Sequence, residues 1–238
     1  MPVKPSRSAT RVLTVLEGLS ELQPVGLAEL ARHLDEDKSA VQRALATLAG
    51  DGWIRPTGSR PPRWELTTRA LVMASRATTR SGLRERARPT LERLRDLTGE
   101  SVLLAVPDAP RVVTLDVVES HELVRAAPHV GMVLPLVGSA AAQAVLAHLP
   151  PDELVTYLGD PPDPAAVAPL AAVRTRGWAL NRGDVTAAAS GIAAAVLDRD
   201  GRPLASIAVS APTARLPRDR HAEVGALVAR AAAELGGG

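Results

Sequence analysis

The chain of 238 residues has no cysteine, no phenylalanine, one tyrosine and three tryptophans. Without cysteine there is no disulfide, no thiol nucleophile and no thiolate metal ligand, although the redox compartment stays open. So few aromatics argue against an RNA-binding platform that stacks bases on Phe or Tyr. Lysine is nearly missing as well: of 28 basic residues only Lys4 and Lys38 are lysine, and the rest are arginine. No apolar run approaches the roughly 18 residues that a membrane-spanning helix needs. The polar start, Met1-Pro-Val-Lys-Pro-Ser-Arg7, is no secretory signal. The expected compartment is the cytoplasm, with no membrane partner.

What is present is ordinary for a globular protein: 46% apolar and 23% charged residues, at a length that favours two domains. The net charge of +2 hides a division. Residues 1–97 hold 17 basic and 11 acidic side chains, whereas residues 98–238 hold 11 and 15. A positive front beside a negative rear points to a polyanion partner for the front alone. Uneven surface charge is the plain alternative.

The first 66 residues read as three short helices and a hairpin. Val12, Leu16 and Leu19 give one apolar face to a helix near 9–20, which Pro24 closes because proline lacks the N–H that a helix interior needs. Leu27, Leu30, Ala31 and Leu34 do the same for a helix over 26–34. After the polar break at Asp35–Lys38, with its capping candidates, a third helix over 38–50 buries Val41, Ala44, Leu45 and Leu48 and ends at Gly50. Its other face carries Ser39, Gln42, Arg43, Ala46 and Thr47. Small residues with one Arg and one Gln suit a helix lying against something flat, and these two side chains bond guanine and adenine edges bidentately in the major groove. Trp53–Arg55 and Arg63–Leu66 flank a Gly/Pro turn, making a hairpin charged by Arg55, Arg60 and Arg63.

Three helices and a basic hairpin describe a winged helix-turn-helix, whose third helix enters the major groove while the wing follows the backbone. The expected partner is double-stranded operator DNA. Ser39, Gln42, Arg43 and Thr47 are expected to read base edges, and Lys38, Arg55, Arg60 and Arg63 to meet phosphates. Arg7, ahead of the first helix, is expected to reach a minor groove. A helical bundle with an ornamental hairpin, or a winged helix that docks protein, stands as the alternative.

Residues 67–97 are helical in pattern and hold eight arginines against Glu85, Glu92 and Asp96. Gly82 and Pro89 are expected to break this stretch, giving a linker helix over 67–88 and a rear domain over 89–238. In that domain Ser101–Val106 and Arg111–Val118 read as a hairpin, and Glu122–Pro128 as a third strand. Helices are expected near 139–148, 152–158, 165–176 and 217–235, with strands near 191–198 and 204–211. Such a pattern makes an α+β domain with its own core.

On these residues the chain resembles the IclR-type family of bacterial transcriptional regulators, from about Ser6 to Gly237. The front carries the likeness in Arg11–Glu17, Leu27–Arg32 and Lys38–Leu48. The rear carries it in Leu97–Ser101, Gly131–Leu136, Leu146–Pro150, Arg174–Leu180, Ile192–Val196 and Val209–Pro212. The resemblance implies a winged helix-turn-helix joined by a linker helix to a GAF-like α/β effector-binding domain with an antiparallel sheet. It also implies homodimers or homotetramers and a small-molecule effector, commonly an organic or aromatic acid, that re-spaces the two DNA-reading heads.

Carried over by position, the family's pocket falls on Gly131, Met132, Leu134 and Leu136, and on Ser139 and Ala140 at the next helix start, where free N–H groups favour an anion. It continues on Asn181, Ser190 and Gly191, and ends on Ser206, Ala208 and Ser210. Asn181 stands where an acid is usual, Gly191 where cysteine is common, Ala208 in place of a hydroxyl and Gln143 in place of a lysine. Such a pocket is less acidic and less polar than one for glyoxylate or pyruvate. A rear domain that binds nothing and only oligomerises is the alternative.

No G-x-S-x-G, G-x-G-x-x-G or P-loop pattern occurs. The five histidines lack metal-ligand spacing; His121 and His129, near Asp116 and Glu119, are the one cluster worth weighing, and hydrogen-bonded imidazoles are the simpler reading. No catalytic residue, metal or cofactor is therefore expected.

Overall fold

The computed structural model describes residues 6–78 and 82–237, and the chain divides into two compact units at Ser81/Gly82. In the first, α1 (Arg7–Leu22), α2 (Leu27–His33) and α3 (Lys38–Gly50) close around Val15, Leu19, Leu30, Val41 and Leu45. Asp37 caps α3, its carboxylate accepting the N–H of Ser39 at 3.0 Å; such a cap is worth about 1 kcal/mol. Asp35, at φ 50, supplies the left-handed residue that turns the chain between α2 and α3.

β2 (Ile54–Pro56) and β3 (Arg63–Leu66) form the wing, and β1 (Val25–Gly26) adds to the free side of β3. The reading of residue 26 as a helix start missed β1, because two residues carry no strand pattern and only pairing with Arg63 and Trp64 makes them one. After the wing, α4 (Arg69–Thr78) begins with Arg69 stacked on Trp53, 4.9 Å from the ring centroid, and bonded to the Asp51 carbonyl.

The break expected at Gly82 is present, but among the described residues no linker helix continues from 67 to 88. α5 (Leu83–Thr98) starts afresh after Gly82, which sits at φ 57, and residues 79–81, Arg80 among them, lie outside the described residues. Pro89 lies inside α5 and does not break it. The proline removes one hydrogen bond, but Leu83, Ala87, Leu91 and Leu94 bury one continuous face, and that packing outweighs the loss.

The second unit is built on a six-stranded antiparallel sheet of β4 (Ser101–Asp108), β5 (Arg111–Val118), β6 (Val133–Leu134), β7 (Ala179–Thr186), β8 (Ala189–Leu197) and β9 (Pro203–Pro212), in the order β6-β5-β4-β9-β8-β7. α5 and α9 (His221–Gly236) cover one face around Leu91, Leu104, Ile207 and Val228. The other face is covered by α6 (Ala140–Leu146), α7 (Pro151–Leu158) and α8 (Pro164–Arg176), around Leu103, Val145, Leu146 and Leu170. Leu103 and Leu104 thus serve opposite cores, as strand alternation requires. Alanine on α6 meets alanine on the sheet, Ala142 and Ala144 above Ala193 and Ala208, which lets the helix approach closely.

Two expectations for this unit fail. Glu122–Pro128 is not a strand: Leu123 is fully exposed, and side chains hold the segment, with Ser101 Oγ donating to the Ala126 carbonyl at 2.8 Å and Arg215 to the Val124 carbonyl at 2.7 Å. The place beside β5 goes to β6 instead. β7 was unforeseen because its register shifts between Asn181 and Thr186, which destroys the alternation by which a strand is recognised.

Candidate nucleic-acid interface and ligand cavity

The cap at Asp37 and the buried face of α3 leave Ser39, Gln42, Arg43 and Thr47 together on its exposed side, with Lys38 in the first turn. Thr47 donates to the Arg43 carbonyl at 3.0 Å and Arg43 to Ser39 Oγ at 3.4 Å, so both lie along the helix. Arg7 is the first residue of α1, not a residue ahead of it, and is exposed.

The wing separates its arginines. Arg60 sits exposed in the β2–β3 loop. Arg55 gives its Nε–H to Glu65, its cross-strand neighbour, at 2.7 Å. Arg63 is built into the unit: Nε donates to the Pro24 carbonyl at 2.8 Å and Nη2 to Glu29 at 2.9 Å, tying β3 to α2. Among the described residues, Arg7, Lys38, Arg43 and Arg60 have no carboxylate partner, whereas Arg55 and Arg63 do.

In the second unit a cavity of about 320 Å³ lies between the sheet and the start of α6. Nine of the expected residues line it: Met132, Leu134, Ser139, Ala140, Asn181, Ser190, Gly191, Ala208 and Ser210. Three do not. Gly131, at φ 84, gives its N–H to the Thr114 carbonyl and shapes the approach to β6. Leu136 packs against the core beneath α6. Ser206 is wholly buried, two residues along β9 from Ala208, and its hydroxyl has no partner among the described residues.

The polar groups in the wall are few and neutral. Asn181 Oδ1 accepts the N–H groups of Gly183 and Asp184, each at 2.8 Å, which fixes the amide and leaves its NH₂ unengaged by them. Ser139 caps α6, accepting the Ala142 N–H at 3.4 Å, and Ser190 donates to Thr213 Oγ1 at 3.2 Å. No ionisable side chain is among the described lining residues. A Cβ at Gly191 would stand 3.4 Å from the Val209 carbonyl and 3.9 Å from Ala140 Cβ, so any longer side chain there takes up cavity space.

Leu103, Ala126, Ala127, Pro128 and Ala141 also line the cavity and were not foreseen. The loop residues reach it through the bond from Ser101 to Ala126, a contact between segments that no local pattern announces. His129 Nδ1 lies 3.2 Å from the Val130 carbonyl, and no three metal-ligating groups converge among the described residues.

A three-helix unit with a wing, followed by a sheet layered between helices, defines the winged helix-turn-helix DNA-binding proteins that carry a separate α+β domain. The chain belongs to the IclR family of bacterial transcriptional regulators: the model of its C-terminal domain matches residues 75–236 and that of its helix-turn-helix domain residues 8–58. It is similar to the HTH-type transcriptional regulator BhcR of Paracoccus denitrificans, at 35% identity over 96% of this chain and 86% of that one. The transcriptional repressor IclR of Escherichia coli is 29% identical over 96% and 88%. An IclR homologue from Microbacterium hydrocarbonoxydans, complexed with 4-hydroxybenzoate, has the same fold, with a TM-score of 0.77 at 22% identity over 97% of this chain and 98% of that one. No helix among the described residues is long and apolar enough to cross a membrane.

Proposed function

We propose that the chain is a cytoplasmic one-component regulator that binds operator DNA as a homodimer or homotetramer and carries its own small-molecule sensor. Ser39, Gln42, Arg43 and Thr47 read base edges, Lys38 and Arg60 meet phosphates, and Arg7 reaches the adjacent minor groove. Arg55 and Arg63 contribute mainly by holding the wing, since each is already partnered. No step of this function is catalytic.

The observation that carries the sensor reading is a largely apolar cavity, open on one side, with a few neutral polar groups, the usual make-up of a small-molecule site. Its occupant is a small organic molecule with an apolar, ring-sized body. Hydroxyl or carboxyl oxygens on that body meet Ser139, Ser190, Ser210 and the Asn181 amide. A carboxylate here has no counter-charge and must be fully hydrogen-bonded, because an unpaired buried ion is costly. Hydroxybenzoates are the first probes, since the Microbacterium homologue is complexed with 4-hydroxybenzoate.

The test is binding of the purified protein to labelled DNA from upstream of its own gene and to genomic fragments, at two salt concentrations with random DNA as competitor. Tight binding that survives competition and shifts when hydroxybenzoates or neutral phenols are added is the expected result. Sequence-blind binding that collapses with salt would reduce the first unit to a basic surface. Specific binding indifferent to every probe would leave a second unit that only oligomerises.

A further inference from the structure

Arg176, at the end of α8, has its guanidinium fixed on two sides. Nε donates to the Trp178 carbonyl at 2.9 Å, and the guanidinium carbon stands 3.9 Å from the centroid of the Trp178 ring. Its Nη groups are left over. Arg176 lines a groove of about 320 Å³ between α6, α8 and β7, together with Arg182, Gln143 and Asp184. Ala172 and Val173 provide an apolar floor.

Neither arginine has a carboxylate within salt-bridge distance among the described residues, although residues 98–238 hold more acids than bases. Arg111, Arg125, Arg202 and Arg215 have each found one. Asp184 is near but is turned to the backbone, its Oδ2 accepting the N–H of Arg182 at 3.2 Å. Two like charges thus line one groove against the single carboxylate of Asp184. Partial burial, and after it the charge of Arg182, lowers the pKa of Arg176 below that of an ordinary arginine.

We propose that this groove is a second ligand site, distinct from the cavity beneath α6, and that it takes a small organic dicarboxylate. Each guanidinium receives one carboxylate through charge-assisted hydrogen bonds, the Gln143 amide adds a donor, and the short carbon chain between the carboxylates covers Ala172 and Val173. Inorganic phosphate would leave that floor bare. The site stands independently of what occupies the cavity.

Calorimetric titration of the full-length protein at constant ionic strength and near-neutral pH, with succinate, glutarate and inorganic phosphate as probes, tests this. The expected result is saturable binding of a dicarboxylate, weakened at least about tenfold by Arg182→Gln and unaffected by Gly191→Leu, which fills the cavity. The Arg182 side chain makes no described bond, so its replacement keeps the fold, to be checked by circular dichroism. Asp184→Asn, which removes the one negative charge at the rim, is expected to tighten binding and serves as the independent variant; weaker binding there would count against the site. No saturable binding to the wild type, equal binding by Arg182→Gln, or phosphate bound as tightly as both dicarboxylates would overturn the proposal. Loss in Gly191→Leu with retention in Arg182→Gln would also overturn it, placing the anion in the cavity and leaving the regulator reading intact.

Discussion

On α3 and the wing the side chains that matter are polar and exposed, whereas around the cavity they are mostly apolar and, among the described residues, none is charged. The first surface is defined by what its residues are: a guanidinium or a carboxamide keeps its donors wherever the helix places them. The second is defined by what its residues are not. Gly191, Ala140 and Ala208 leave room, and that room exists only because β8, β9 and α6 are stacked. Substitutions should therefore act in opposite ways, by truncation on the first surface and by enlargement in the second.

The largest effect is expected from enlargement. Ser210→Leu should abolish the response of DNA binding to any cavity ligand while operator affinity, measured by fluorescence anisotropy, stays unchanged. If both disappear together, Ser210 supports the fold and the contrast between the sites breaks. Truncation comes next: Arg43→Ala should lose about 1–3 kcal/mol on the operator and relax the preference for its sequence. Undiminished affinity would remove Arg43 from the reading set.

The wing offers a finer test, because Arg60 and Arg63 are the same residue type in different settings. Arg60→Ala should weaken binding to all DNA alike and lower the slope of log affinity against log salt by about one. Arg63→Ala should leave that slope nearly unchanged and instead cost up to about 1 kcal/mol of thermal stability, since its ion pair with Glu29 is solvent-exposed. Equal salt slopes for the two variants would show that the pairing seen in the wing does not decide which arginine meets phosphate.

The smallest effect concerns pH. Burial, and then the charge of Arg174, lowers the pKa of His148 below the ordinary 6.5. A histidine held neutral in the fold lets the unfolded chain bind more protons, so stability falls as pH drops from about 6.5 towards the lower folded-state value, and no penalty remains above that range. Melting temperatures above and below that window should differ less in His148→Gln than in the wild type; an equal difference would assign the pH dependence to other groups.

The legibility of the fold follows the same contrast. Helical spacing in 12–48, the capping aspartate and the charged hairpin were enough to place α1, α2, α3 and the wing within a few residues, because each element is stabilised by neighbours in sequence. The sheet of the second unit was readable where hairpins are local, at β4–β5 and β8–β9, and not where pairing is distant or interrupted. β1, β6 and β7 depend on partners far along the chain or on a shifted register. Pro89 misled for a related reason: its local penalty is real, but a buried helix face outweighs it.

For the candidate sites, helical spacing put Ser39, Gln42, Arg43 and Thr47 on one exposed face of α3, and nine of the residues named from family likeness line the cavity. Only the tertiary structure separated Arg60 from Arg55 and Arg63, brought Ala126–Pro128 to the cavity, withdrew Ser206 from it and put Arg176 and Arg182 in one groove. A sequence specifies which groups carry charge and which faces are apolar, since those are properties of single residues and their near neighbours. Whether an arginine is paired, and whether an alanine borders a void, depends on groups that are distant in the chain and adjacent only after folding.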